Sequence, residues 1–237
     1  MLKAIVFDLD HTLYDRYATM EKTLPACWEE IKDNINDGFD YDRFHDLIIE
    51  TDKRFNYDGW DARVEYLEDL GMFKEPVNPE EFRLKVYEGM MKIAVHFDYT
   101  LPLLDSLRKR GYKLGIITNG EDYIQQKKIE LLNFSEYFDL IYICGERGKS
   151  KPSPAPFLET AEILGVLPEE CVYVGDNPRN DVFGARGAGY ETVWVATTGP
   201  WRYYSYERAD FEVENISYLE DILPEIEADM MKKGTKN

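Results

Sequence analysis

Ala4-Ile5-Val6-Phe7-Asp8-Leu9-Asp10-His11-Thr12 sets four apolar residues directly before two acids two positions apart. An apolar run this short, with no polar alternation, reads as a strand buried on both faces. Desolvation and mutual repulsion both oppose two carboxylates at the mouth of such a strand. A chain keeps that arrangement where a cation or a reacting group offsets it, so function is expected here.

Working outward, the same texture returns after residue 98. Lys113–Thr118 (KLGIIT), Leu140–Cys144 (LIYIC), Cys171–Val174 (CVYV) and Thr192–Ala196 (TVWVA) are short runs rich in β-branched or aromatic residues. Helical stretches lie between them: Thr100–Arg110 stops at Gly111, and Ala155–Leu164 starts near Pro156 and stops at Gly165. Alternating strands and helices predict an α/β fold with a doubly wound parallel sheet. Phe211–Val213 is a weaker candidate for one more strand, and the charged tail from Lys232 to Asn237 is expected to fray.

Residues 14–97 differ. Met20, Leu24, Cys27, Ile31 and Ile35 recur at helical spacing, as do Phe44, Leu47, Ile48 and Phe55. Val64, Leu67 and Leu70 follow, then Phe82, Val86, Met90, Ile93 and Ala94, with Asn78-Pro79 as cap and first turn. Four amphipathic helices without a strand predict an α-helical bundle inserted at 14–97, between core segments 1–13 and 98–237.

The bulk composition narrows the function. The chain has 237 residues, is 44% hydrophobic and carries a net charge of −18, so it has a core but no basic face for nucleic acid and no polybasic membrane anchor. A locally positive site for a small anion remains compatible with that charge. Cys27, Cys144 and Cys171 lack metal or redox spacing and read as buried thiols. The N-terminal apolar run is too short for a signal peptide, and no stretch approaches the ~18 apolar residues of a membrane span. A cytoplasmic protein, monomer or homodimer, is the expectation.

Four polar clusters each follow a predicted strand: Asp8 and Asp10; Thr118-Asn119-Gly120; Lys151; and Asp176 with Asp181. In a doubly wound sheet the carboxyl ends of the strands share one edge, where ligands bind. Carboxylates, a hydroxyl and an amine meeting there suit phosphoryl transfer. Carboxylates hold Mg²⁺, and lysine, hydroxyl and loop N–H groups hold phosphate oxygens. One aspartate can attack phosphorus while a second carboxyl manages the proton.

DLDHT at 8–12, ITNG at 117–120, KPSPAPF at 151–157 and GDNPRND at 175–181 resemble the haloacid dehalogenase superfamily, in its phosphatase branch with a helical cap after the first motif. The resemblance spans nearly the whole chain and implies a Rossmann-like core. It implies Asp8 as nucleophile and Asp10 as general acid and base, with Asp8, the Asp10 carbonyl and Asp176 on Mg²⁺. Thr118, Asn119 and Lys151 would hold the phosphoryl group. Asp181 would place a metal-bound water or Lys151, and could equally cap a helix. Lys149 is a rival for Lys151, and His11 stands where the family most often has glycine. Tyr14 and Arg16 are the leading candidates for contacting the rest of the substrate, with Asp15, Tyr17, Trp28, Phe55, Tyr57 and Trp60 behind them. The expected substrate is a small phosphorylated metabolite, such as a nucleoside monophosphate or sugar phosphate. A phosphomutase on the same aspartyl-phosphate chemistry is the alternative; a metal-free dehalogenase and a non-enzymatic binding module are further ones.

Overall fold

Ala4–Phe7 forms β1, with all four side chains at 0% exposure. The structure, a computed structural model, describes residues 1–55, 59–201 and 205–234; Tyr57 lies outside them. Contacts divide the chain into one unit of residues 1–15 and 96–237 and a second of residues 16–95.

The second unit is helical: α1 (Arg16–Ile31), α2 (Tyr41–Arg54), α3 (Gly59–Asp69) and α4 (Pro79–Met90). α1 packs on α2 and α4, and α3 packs on the same two. Asp40 and Asn78 cap α2 and α4 by accepting from first-turn N–H groups. The apolar stripes overrun the helices. Ile35 lies past a 3-10 turn and bridges to Phe73, while Leu70, Ile93 and Ala94 fall beyond helix ends. At Leu70 the cause is local, since Gly71 takes φ +72 and ends the helix. Asp52 is buried between two guanidiniums, at 2.9 Å from Arg16 and 2.7 Å from Arg63, and ties α1, α2 and α3 together.

In the first unit five further strands, all parallel, flank β1 among the described residues: β2 (Lys113–Thr118), β3 (Leu140–Ile143), β4 (Cys171–Gly175), β5 (Glu191–Val195) and β6 (Phe211–Val213). The order is β3-β2-β1-β4-β5-β6, an α/β doubly wound sheet. The chain runs outward one way through β2 and β3, then the other way from β4. The connections therefore part between β1 and β4, which opens a crevice at the carboxyl ends of those strands. Asp8 N–H donates to Val174 O at 2.9 Å, so the first acid is held one step beyond the ladder, inside that crevice.

The covering helices are α5 (Thr100–Lys109), α6 (Asp122–Leu131), α7 (Ala155–Leu164), α8 (Gly184–Gly187) and α9 (Leu219–Gly234). Phe157 of α7 packs edge-on against Tyr173 and Tyr190, at 4.9 and 5.9 Å between ring centres, and anchors one face of the sheet. The tail departs from expectation: α9 buries Leu219, Leu223, Ile226 and Met230, and Lys233 donates to both oxygens of Glu191 at 2.7 and 2.9 Å. Helical order therefore runs through Gly234. The three cysteines are buried and free, and no helix among the described residues is long and apolar enough to cross a membrane.

Candidate active site

The first acidic loop turns sharply. Leu13 and Tyr14 N–H groups donate to Leu9 O at 3.0 and 2.9 Å, and His11 N–H donates to Tyr14 O at 2.9 Å. His11 adopts φ +61, the left-handed conformation that glycine takes most easily. The turn is kept with a bulkier residue. It is fastened further by Thr100, whose hydroxyl donates to Leu13 O at 3.2 Å.

The four clusters come together. Lys151 Nζ donates to Asp8 Oδ1 at 2.6 Å, to Asp181 Oδ1 at 2.7 Å and to the Tyr173 hydroxyl at 2.9 Å. The Tyr173 hydroxyl donates in turn to Ile117 O at 3.0 Å. Asn119 uses its side-chain amide as a clamp on the Lys151 main chain: Nδ2 donates to Lys151 O at 2.9 Å, and Oδ1 accepts from Lys151 N at 3.0 Å. Lys149 instead projects outward and pairs with Glu159. The geometry thus places Lys151, not Lys149, beside Asp8.

After β4 the chain forms a π-type turn, Pro178–Phe183. The turn is capped by Asn177, which accepts from Arg179 and Asn180 N–H, so the capping role considered for Asp181 belongs to Asn177. Asp181 folds back, accepts from Asn177 N–H at 2.9 Å and meets Lys151. Trp194 Nε1 donates to Asp176 O at 2.7 Å and fixes the intervening loop. Gly175 makes room for this: a Cβ there would lie 2.4 Å from Asp181 Oδ2 and 2.7 Å from Asp181 Cβ. Gly175→Ala is expected to lower stability by about 1–3 kcal/mol through overpacking. Urea unfolding measures that cost, and turnover should fall with it because Asp181 is displaced from Lys151.

Asp8, Asp176 and Asp181 are all buried, with one carboxylate oxygen from each lying within 4.8 Å of the others. Burial pushes the Asp8 carboxyl up from 3.8 to about 7, the Lys151 ammonium opposing the rise and Asp181 adding to it. Burial, then Asp181 and Asp8, hold Asp176 well above the carboxylate range. Burial opposes the charge on Lys151, but Asp181 and Asp8 outweigh it and keep the amine protonated. With all three carboxyls ionised, as a bound cation would make them, one ammonium leaves two negative charges, and the donors are all hard oxygens. That set fits a divalent cation.

Asp10 lies apart from this triad. Lys128 Nζ donates to its two carboxylate oxygens at 2.7 and 2.9 Å, and Gln125 Nε2 donates to Oδ2 at 3.0 Å. Gln125 Nε2 also lies 2.6 Å from Thr118 Oγ1. Tyr14 belongs to the first unit, its ring 5.0 Å from Lys128 Nζ, whereas Arg16 opens the helical unit and is bound to Asp52. Trp28 packs on Phe44, Trp60 on Phe82 and Phe55 on Tyr66, all inside that unit. Tyr17 lies under Lys53 there, and Asp15 stays in the first unit beside Tyr99.

Sequence reasoning missed Tyr173, Gln125 and Lys128. Tyr173 left a signal, a hydroxyl in the middle of a strand buried on both faces, which needs a partner. The other two lie on α6, where they share the buried face with Ile129 and by residue type read as solvent-facing.

A model of the haloacid dehalogenase-like hydrolases matches residues 2–189. The chain is 30% identical to the glyceraldehyde 3-phosphate phosphatase of Methanopyrus kandleri, over 97% of this chain and 100% of that one. It is also 30% identical to the N-acylneuraminate-9-phosphatase of Mus musculus, over 95% of each. Among solved structures, a HAD phosphatase from Thermococcus onnurineus superposes with TM-score 0.61 at 28% identity, covering 94% of this chain and 98% of that one.

Proposed function

The chain belongs to the haloacid dehalogenase-like hydrolase family, and from that membership and the geometry of its strand ends we propose that it is a Mg²⁺-dependent phosphatase of small phosphorylated metabolites, acting through an aspartyl-phosphate on Asp8. The observation that carries this reading is the placement of Lys151 between Asp8 and Asp181, 2.6 and 2.7 Å away, with Asp176 in the same buried cluster. Asp8 and Asp176, with the Asp10 carbonyl, would hold the metal. When bound, Mg²⁺ offsets the charge of the carboxylates and of the phosphoryl oxygens.

Lys151 donates to a phosphoryl oxygen, aided by the Thr118 hydroxyl and the Asn119 backbone N–H. An Asp8 carboxylate oxygen attacks phosphorus, the bond from phosphorus to the ester oxygen breaks, and Asp10 gives its proton to the departing oxygen. Asp10, now a carboxylate, takes a proton from water. The water oxygen attacks phosphorus, the bond to Asp8 breaks, and inorganic phosphate leaves. Asp181 keeps Lys151 charged while Asp8 is esterified and neutral.

The loops of the first unit act on the phosphoryl group and are indifferent to the organic part of the ester. The two named relatives act on phosphate esters of small, hydroxylated carbon skeletons, which supports that substrate class here. Phosphate release from a panel of phosphorylated metabolites, with and without Mg²⁺, tests the proposal. No release from any monoester overturns it.

The raised Asp8 carboxyl gives a second test. A carboxyl with a higher pKa folded than unfolded contributes stability below about 4 that is lost as pH rises through about 7 in the metal-free protein. Mg²⁺ competes with that proton. The rise in melting temperature on adding Mg²⁺ is therefore expected to be small near pH 5 and several degrees near pH 8, read by thermal melts against EDTA. An equal shift at both pH values contradicts metal binding at Asp8.

A further inference from the structure

Two buried polar side chains of α6 have no part in the chemistry derived above. Gln125 and Lys128 lie one helical turn apart and are each 3% exposed. Desolvation opposes a buried ammonium strongly, and an apolar residue of similar length would fill the space without that penalty. What Lys128 touches is Asp10: both carboxylate oxygens, at 2.7 and 2.9 Å, with the Tyr14 ring as its floor. Gln125 Nε2 shares its two N–H groups among Asp10 Oδ2 at 3.0 Å, Thr118 Oγ1 at 2.6 Å and Asn119 O at 2.7 Å.

Oδ2 of Asp10 is thus gripped by two donors from one helix. We propose that Lys128 and Gln125 are positioning residues for proton transfer. Lys128 holds both oxygens and Gln125 adds a second donor at Oδ2, which fixes the plane of the Asp10 carboxyl for delivering a proton to the departing ester oxygen and taking one from water, and keeps this carboxyl in step with the Thr118 hydroxyl. The inference rests on the phosphatase reading and deepens it. A plain structural staple between α6 and the β1 loop is the competing account. It would weaken the fold and slow every substrate alike.

Phenyl phosphate and p-nitrophenyl phosphate separate the two, because they are alike in shape and only the first needs its leaving oxygen protonated. In Lys128→Met, kcat/KM is expected to fall about 100-fold for phenyl phosphate and less than about threefold for p-nitrophenyl phosphate. Asp10→Asn should show the same split, and the double variant should be no slower on phenyl phosphate than Asp10→Asn alone. Gln125→Leu should show the split and also weaken competitive inhibition by inorganic phosphate, through Thr118. Equal losses of Lys128→Met on both esters, or losses that multiply in the double variant, overturn the proposal. Should Lys128→Met fail to fold, Lys128→Gln removes the charge, keeps a donor, and is read by the same comparison. A wild-type protein active on both esters, impaired by Asp10→Asn and indifferent to Lys128→Met, removes the pair alone. A wild-type protein inert on both esters and on every metabolite of the panel with Mg²⁺ removes the phosphatase reading and the pair with it.

Discussion

Asp8→Asn is expected to lower turnover by about 10⁵-fold or more, as loss of a nucleophile does, while the protein stays folded. The stability half of this result follows from the burial of the site. Asp8 is buried beside two other carboxylates, and that environment already drives its carboxyl up to about 7. The amide has nearly the same shape and carries no charge, so repulsion with Asp176 and Asp181 falls. Lys151 keeps Asp181 at 2.7 Å and the Tyr173 hydroxyl at 2.9 Å. Unfolding free energy without metal should therefore stay within about 1 kcal/mol of the native protein or exceed it. Rapid-quench labelling with ³²P-substrate should trap acid-stable label on the native protein and none on the variant. Turnover surviving the substitution would remove Asp8 from the reaction.

Lys151→Met should also stop turnover, but at a cost to the fold that Asp8→Asn does not carry. The lysine is the cation shown here touching Asp8 and Asp181, and both partners are buried. Its removal leaves a carboxylate cluster without compensation, a change expected to cost about 3–5 kcal/mol. Urea unfolding in EDTA reads the loss directly. Mg²⁺ should recover part of it, and so should a pH near 5, where the carboxyls take up protons. If Lys151→Met costs no more stability than Asp8→Asn, the charge argument for the site fails. The inequality between them is informative because both residues stand within one hydrogen bond of each other.

The sheet could be read from sequence because its strands are buried on both faces and therefore appear as unbroken apolar runs. Lys113–Thr118 and Phe211–Val213 are found with the bounds expected, and the other runs agree to within a residue at each end. Asp8 and Asp10 were legible because charges directly after such a run are hard to explain otherwise, and Lys151 because the KPSPAPF pattern starts there. The polar face of α6 was not legible. Gln125 and Lys128 are ordinary surface residues by type, and only the fold turns them inward. The ends of the helical stripes misled for two reasons: Ile35 is buried in a segment that joins helices, whereas Leu70 and Ile93 are apolar but exposed past the helix ends. Residues 232–234 were misjudged because their charge suggested solvent, whereas Lys233 has a buried acid, Glu191, to meet; residues 235–237 of the same stretch lie outside the described residues.

The strand order carries a consequence for synthesis. β1 leaves the ribosome first, yet its two neighbours begin at residues 113 and 171. Its apolar backbone must wait through the whole helical insertion for one edge to be covered, and through most of the chain for the other. The helical unit, local in sequence, can condense meanwhile. A ribosome stalled before residue 171 would thus present an open sheet edge, the state in which chaperones bind and neighbouring nascent chains aggregate.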